Sequence, residues 1–286
     1  MIDEHLARRL VAAQFPRWAH LPVVPVAIGG VDNRTFRLGD DLTVRMPSAA
    51  GYAAQVAKEQ RWLPHLAPRL PLPVPVPVAV GRPGPGYPHP WSVLRWIDGE
   101  TATAGRIDDM TAFARDVAAF LVALRGIDAT GGPPPGPHNF HRGGDLAVYA
   151  EETDAAVERL HGRVDAGAAR AVLADALTAR WDGPPVWFHG DVAVGNLLVR
   201  DGRLAAVIDF GSSGVGDPAC DAVLAWTLFT GPARAAYRAG LGVDDGTWAR
   251  GRGWALWKAL IVLADDPDDA GTRRVLDEVL ADQAPT

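Results

Sequence analysis

The chain has 286 residues, 28 Lys and Arg against 34 Asp and Glu, and a formal net charge of −6. That length allows one large domain or two smaller ones, and the single cysteine, Cys220, excludes an internal disulfide. An acidic balance argues against a nucleic-acid surface, and no apolar run resembles a leader or a membrane span, so the expectation is a soluble, cytoplasmic protein.

Leu6, Leu10 and Ala13 recur at helical spacing over residues 3–14, and Pro16 stops that helix. The valine-rich run 23–28, broken by Pro25 and ended by Gly29-Gly30, reads as an edge strand. Residues 35–38 and 42–46 flank the polar turn Gly39-Asp40-Asp41 and predict a hairpin. A helix follows over 53–63, with Pro64 marking its end. Pro71, Pro73, Pro75 and Pro77 predict extended chain leading into another edge strand, since proline cannot donate ladder bonds. Residues 91–97 give the last strand, closed by Asp98-Gly99. Residues 1–97 thus predict a small mixed-sheet lobe.

Beyond Gly99 the pattern turns helical, over 108–124, 145–160, 168–180, 219–230, 246–264 and 270–281. The run Gly131-Gly132-Pro133-Pro134-Pro135-Gly136-Pro137 reads as an irregular loop. Short strands are expected at 186–188, 196–199 and 204–208, the last two joined by Arg200-Asp201-Gly202-Arg203. The whole is an α+β chain whose second lobe, residues 98–286, is larger and mainly helical around one strand-and-loop island.

That island carries the chemistry. It reads His189-Gly190-Asp191, then Asn196, then Ile208-Asp209-Phe210-Gly211. The hairpin between Asn196 and Asp209 would fold an amide oxygen and a carboxylate toward one point. Such hard oxygen donors suit Mg²⁺, which binds through one or two carboxylates plus substrate phosphates. Asp191 would face the space before the metal, where an incoming hydroxyl could meet it. This is the kinase layout of catalytic Asp, metal-binding Asn and metal-binding Asp before Phe-Gly.

With Gly216-Asp217-Pro218 and Asp221 added, the run from His189 to Asp221 resembles the aminoglycoside phosphotransferase family, relatives of the protein kinases that phosphorylate small molecules. The resemblance implies a protein-kinase-like two-lobed fold, with Asp191 as catalytic base and Asn196 and Asp209 holding Mg²⁺. Asp217 is expected to brace the catalytic loop. His189 is read as a loop histidine without a role as acid or ligand.

On the nucleotide side, the turn Gly29-Gly30-Val31-Asp32-Asn33 can serve the phosphates of ATP or GTP. Arg45 stands on the third strand where kinases carry lysine, and it is assigned to the α- and β-phosphates with Glu59 as its ion-pair partner. Spacing leaves open whether Glu59 or its neighbour Lys58 points inward. The strand through Leu94 resembles the family's lobe hinge: Leu94 would line the base pocket, while the Arg95 carbonyl and Ile97 amide pair with the purine edge.

Two other classes fail on residues. Gly214-Val215-Gly216-Asp217-Pro218-Ala219 mimics a dinucleotide fingerprint, but no acid occurs from Ala222 to Gly242 to bind a ribose. Gly211-Ser212-Ser213-Gly214-Val215 misses the serine-hydrolase pattern by one residue. The expected partner is a hydroxylated small molecule, such as an aminoglycoside, macrolide or nucleoside-type antibiotic whose O-phosphorylation gives resistance. A metabolite-alcohol kinase and a catalytically silent nucleotide-binding protein are the alternatives. No nucleic-acid or membrane partner is expected of what reads as a monomer or weak homodimer. Asp145, Glu151, Glu152, Asp154 and Glu158 make one helix acidic, suiting either a polycationic acceptor or plain solvation.

Overall fold

The structure, a computed structural model, describes residues 1–26, 30 and 32–282. Helix α1 (Glu4–Gln14) starts where the Asp3 carboxylate accepts from the Leu6 amide, and it buries Leu6, Ala7, Leu10 and Val11. Strands β1 (Val23–Pro25), β2 (Asn33–Leu38) and β3 (Leu42–Pro47) follow, then helix α2 (Ala53–Leu66) and strands β4 (Pro77–Gly81) and β5 (Trp91–Arg95). Their order in the sheet is β1-β2-β3-β5-β4, and every pairing is antiparallel.

Alternation decides what each face does. Phe36, Leu38, Val44, Met46, Trp91 and Val93 turn toward α1 and form one core with Leu6 and Leu10. Burying each such side chain contributes about 1.5–3 kcal/mol. The register Thr35↔Arg45↔Ser92 sends Arg45 to the opposite face, toward α2. Three expectations shift here. Pro64 lies inside α2, two residues before its end, where the helix forgoes the amide bond to the Gln60 carbonyl. Strand β5 ends at Arg95, two residues early, although the Trp96 amide still donates to the Asp41 carbonyl. The described part of the first strand ends at Pro25, and Gly29 lies outside the described residues.

The larger lobe contains β6 (Glu100–Thr101), α3 (Met110–Arg125), α4 (Ala150–Arg159), α5 (Ala166–Thr178), β7 (Val186–Phe188), β8 (Leu197–Arg200), β9 (Arg203–Val207) and β10 (Gly214–Gly216). Helices α6 (Leu224–Thr227), α7 (Gly231–Leu241), α8 (Asp245–Asp265) and α9 (Ala270–Ala281) complete it around a second, larger core. The helix expected over 219–230 is instead a 3-10 run at Pro218–Val223 followed by α6. A separate α7 begins at Gly231-Pro232, where proline suits a first helical turn.

The Gly-Val-Gly run that mimics a nucleotide fingerprint is strand β10, antiparallel to β7. A Cβ on Gly216 would come within 2.3 Å of the Gly143 carbonyl oxygen, so glycine there permits close approach of the proline-rich loop. No helix among the described residues is long and apolar enough to cross a membrane.

Candidate active site

Strand β7 leads directly into His189-Gly190-Asp191. Gly190 has φ +84°, and a Cβ there would lie 2.4 Å from the Ser212 carbonyl oxygen, so only glycine fits. The loop is held from behind on several sides. Buried Asp221 accepts from the His189 amide at 3.0 Å and the Gly190 amide at 2.8 Å. Burial pushes the Asp221 carboxyl up from its ordinary range. Arg142 Nε donates to the Gly190 carbonyl at 3.0 Å, with its guanidinium 4.8 Å from the ring centres of both Trp254 and Trp257.

His189 Nε2 lies 3.0 Å from the Ile208 carbonyl oxygen. A carbonyl only accepts, so Nε2 carries the proton and Nδ1 accepts from the Asp191 amide at 3.3 Å. Both ring nitrogens are therefore engaged by backbone. With the loop fixed, the Asp191 side chain stands exposed at its end.

The brace is not Asp217, as expected, but Asp221. Asp217 caps the 3-10 run through the Ala219 amide and accepts from buried Arg250 at 2.7 and 3.2 Å, which turns it toward α8. Asp221 lies farther along that run and faces β7. The sequence contained both acids, but their direction follows from the irregular turn between them. Arg142, in an irregular loop, left no signal at all.

The hairpin of β8 and β9 pairs Leu197 with Val207, and the Ile208 amide donates to the Asn196 carbonyl at 2.8 Å. Asn196 is thereby brought beside the segment that enters Asp209. Asn196 Nδ2 donates to the Asp191 carboxylate and carbonyl, both at 2.9 Å, which turns the amide oxygen away as an acceptor. Asp209 adopts a left-handed conformation, φ 65°, at a cost of about 1–3 kcal/mol for a residue with a side chain. Its Oδ1 accepts from Arg45 at 2.8 Å and from the Gly211 amide at 3.3 Å, while Oδ2 takes no hydrogen bond among the described residues. No group of three His, Cys, Asp or Glu among the described residues could hold a metal. One carboxylate and one amide oxygen fit a magnesium ion whose remaining ligands are phosphate and water.

Arg45 bridges the lobes. Its Nη1 lies 2.9 Å from Glu59 and its Nη2 2.8 Å from Asp209. Burial works against the guanidinium's charge, but Asp209 and Glu59 outweigh it and raise the Arg45 pKa. Burial likewise pushes Asp209 up, and Arg45 more than reverses this, so Asp209 is held ionised below its ordinary value. Glu59 is raised by the same burial, against the pull of Arg45. Both Glu59 and Lys58 turn inward, Lys58 toward the carbonyls of Gly211 and Ser213.

The pairing makes a measurable prediction. Arg45→Ala should weaken nucleotide affinity and slow turnover, and Arg45→Lys should recover most but not all of either, because an ammonium lacks the two-pronged contact. Glu59→Ala should give a milder version of the alanine effect. In a double-mutant cycle read by kcat/KM, the coupling should be about 0.5–3 kcal/mol, whereas additive effects would separate the two residues.

Two of the other expected nucleotide residues, Asn33 and Leu94, occupy the same face of the sheet. Asn33 pairs with Pro47, and Leu94 with Thr43, so both turn with Arg45. Both are largely buried. The Arg95 amide donates to the Val76 carbonyl, and the Ile97 amide has no backbone partner among the described residues. Gly30 accepts through its carbonyl from Arg34 at 3.0 Å, and a Cβ there would meet nothing within 4 Å. Sequence reading missed the Asp32 carboxylate, 3.5 Å from Gln55 Nε2 and raised first by burial and then by Asp209.

Asp145 and three acids of α4 are engaged within the chain. Glu152 accepts from Trp257 at 2.7 Å, Asp154 and Glu158 both pair with Arg170, and Asp145 accepts from the Ala147 amide.

Residues 23–254 match the sequence family described as the phosphotransferase enzyme family. The chain belongs to that family. No curated protein matches it. Among solved structures, this phosphotransferase-family chain is similar to aminoglycoside 2′-phosphotransferase-IIIa in its GDP complex. The TM-score is 0.74 and the identity 20%, over 99% of this chain and 100% of the other. It is also similar to an ADP-bound aminoglycoside phosphotransferase, with TM-score 0.61 and identity 16% over 98% and 97% of the two chains. A third is the macrolide 2′-phosphotransferase of Brachybacterium faecium, with TM-score 0.60 and identity 23% over 99% of each chain. The phosphotransferase-family chain therefore has the protein-kinase-like two-lobed α+β fold, with its sheet in the small lobe and most helices in the large one.

Proposed function

We propose that this phosphotransferase moves the γ-phosphate of ATP or GTP to a hydroxyl of a small molecule. The observation that carries the reading is the convergence of Asp191, Asn196 and Asp209 at the ends of β7, β8 and β9, opposite Arg45. In this reading residues 1–97 are the nucleotide lobe, and residues 98–286 supply the catalytic loop and the acceptor site. Asp191 is exposed and orients the acceptor hydroxyl, taking its proton as the new bond to phosphorus forms. Asn196 fixes the Asp191 carboxylate through its amide, which restrains that orientation. Arg45 holds phosphate oxygens, and Glu59 fixes its guanidinium. In this reading Gly30 and Asn33 serve the phosphates, Leu94 lines the base pocket, and the Arg95 carbonyl and Ile97 amide face the purine edge. Mg²⁺, held by Asn196 Oδ1 and Asp209, would supply charge neutralisation on the phosphoryl oxygens.

The acceptor is a hydroxylated antibiotic in this reading, so the reaction confers resistance by O-phosphorylation. The relatives described above are named for aminoglycosides and macrolides, which supports that class. The enzyme acts in the cytoplasm, where ATP and GTP are found. A panel of macrolides, aminoglycosides, nucleoside antibiotics and metabolite alcohols, each with Mg²⁺ and either nucleotide, tests this. Acceptor-dependent release of ADP or GDP with an antibiotic is expected. Turnover only with a metabolite alcohol would overturn the antibiotic assignment, and Mg²⁺–nucleotide binding without turnover would leave a silent scaffold.

A further inference from the structure

Lys58 immediately precedes Glu59 on α2, yet its ammonium crosses to the other lobe. Nζ donates to the Gly211 carbonyl at 2.6 Å and to the Ser213 carbonyl at 2.9 Å. It also lies 3.3 Å from His138 Nδ1. The other ring nitrogen, Nε2, sits 2.9 Å from the Pro134 carbonyl, which can only accept. Nδ1 is therefore an acceptor, and all three ammonium protons have partners. None of these partners is a carboxylate.

A largely buried cation with neutral partners is poor stabilising material. Burial lowers the Lys58 pKa to about 8 from 10.5, against the pull of Glu59 and then Asp209. The unfolded chain thus binds more protons between those values, and this group's contribution to stability rises with pH across that window. At neutral pH its charge costs stability, which an apolar residue would not. What the ammonium grips is the turn directly after Asp209, the residue held in a left-handed backbone. Glu59 reaches the same Asp209 through Arg45. Successive residues of α2 therefore hold both sides of one turn.

We propose that Lys58 is a positioning residue: from α2 it fixes the Gly211–Ser213 turn, and so the direction in which Asp209 presents its free carboxylate oxygen. The proposal rests on the phosphotransferase reading above. The charged and titratable groups facing Lys58 are Glu59, Asp209 and His138, with Arg45 beyond Glu59. Burial pushes His138 down from 6.5, so Lys58 is the group of this set that loses its charge near pH 8.

The test uses the full chain, with Lys58→Met and Lys58→Arg. Nucleotide affinity is titrated calorimetrically across a Mg²⁺ series, turnover is followed across pH, and Tm is recorded. Lys58→Met should need about 10–100-fold more Mg²⁺ for half-maximal nucleotide affinity and turn over correspondingly slower, as when groups orienting a metal ligand are lost. Its Tm should stay close to wild type. Lys58→Arg should restore most of both, because a guanidinium also donates to two carbonyls. It should also lack the fall in turnover expected of the wild type as Lys58 loses its charge through about pH 8. An unchanged Mg²⁺ requirement in Lys58→Met overturns the proposal. If that variant does not fold, an Arg variant whose turnover still falls through pH 8 overturns it equally. A wild type without Mg²⁺-dependent nucleotide binding would overturn the phosphotransferase reading, and this proposal with it.

Discussion

Asp191→Asn is expected to lower kcat by about 10²–10⁴-fold, the usual worth of a positioned general base. Nucleotide affinity in the presence of Mg²⁺ should stay near wild type. The reason lies in how the site is assembled. The Asp191 side chain is exposed at the end of a loop whose backbone is fixed by Asp221, Arg142 and His189. Exchanging one carboxylate oxygen for an amide nitrogen leaves those bonds in place, so the loop keeps its shape. The substituted amide cannot take a proton from a hydroxyl, and its NH₂ group can meet the Asn196 amide donor unfavourably. Steady-state kinetics and calorimetry on one preparation separate the two effects. A parallel loss of affinity would mean that Asp191 belongs to the nucleotide site.

Asp209→Asn is expected to differ by losing affinity as well, with Mg²⁺–nucleotide affinity falling by about 100-fold or more and turnover falling with it. Asp209 is the one anionic ligand offered to the metal, and a neutral amide holds Mg²⁺ far more weakly. The same change removes an ion pair from Arg45, although Glu59 continues to balance that guanidinium. Asn196→Ala should weaken affinity less, since it removes a neutral ligand. It also frees the Asp191 carboxylate, so turnover should fall further than affinity does. Equal affinities for wild type and both variants, measured by calorimetry across a Mg²⁺ series, would place the metal elsewhere.

The parts legible in the sequence are those set by short-range rules. Period-2 alternation along 42–46 sends Val44 to the core and Arg45 to the opposite face, and a short hairpin brings Asn196 to the segment entering Asp209. Those two features set the face that Arg45 occupies and the closeness of Asn196 to Asp209. What escaped is set by distance. Asp217 and Asp221 lie in one irregular run, and only its geometry decides which of them meets β7. Lys58 and Glu59 are adjacent on a helix, where neighbours ordinarily diverge. Both find partners because α2 is wedged between the sheet and the turn after Asp209. The direct contact of Arg45 with Asp209 spans the two lobes, and no local pattern encodes it. Pro64 shows the converse, a local rule overridden near a helix end.

Phosphoryl transfer to an alcohol by the island of Asp191, Asn196 and Asp209 is the step on which the proposed function rests. It is tested most directly by mass spectrometry of the acceptor after incubation with the wild-type chain, Mg²⁺ and ATP or GTP, beside Asp191→Asn at equal concentration. The expected result is an acceptor that gains one phosphoryl group as a phosphate ester, with the yield nearly abolished by Asp191→Asn. An acceptor phosphorylated equally well by both proteins would contradict it.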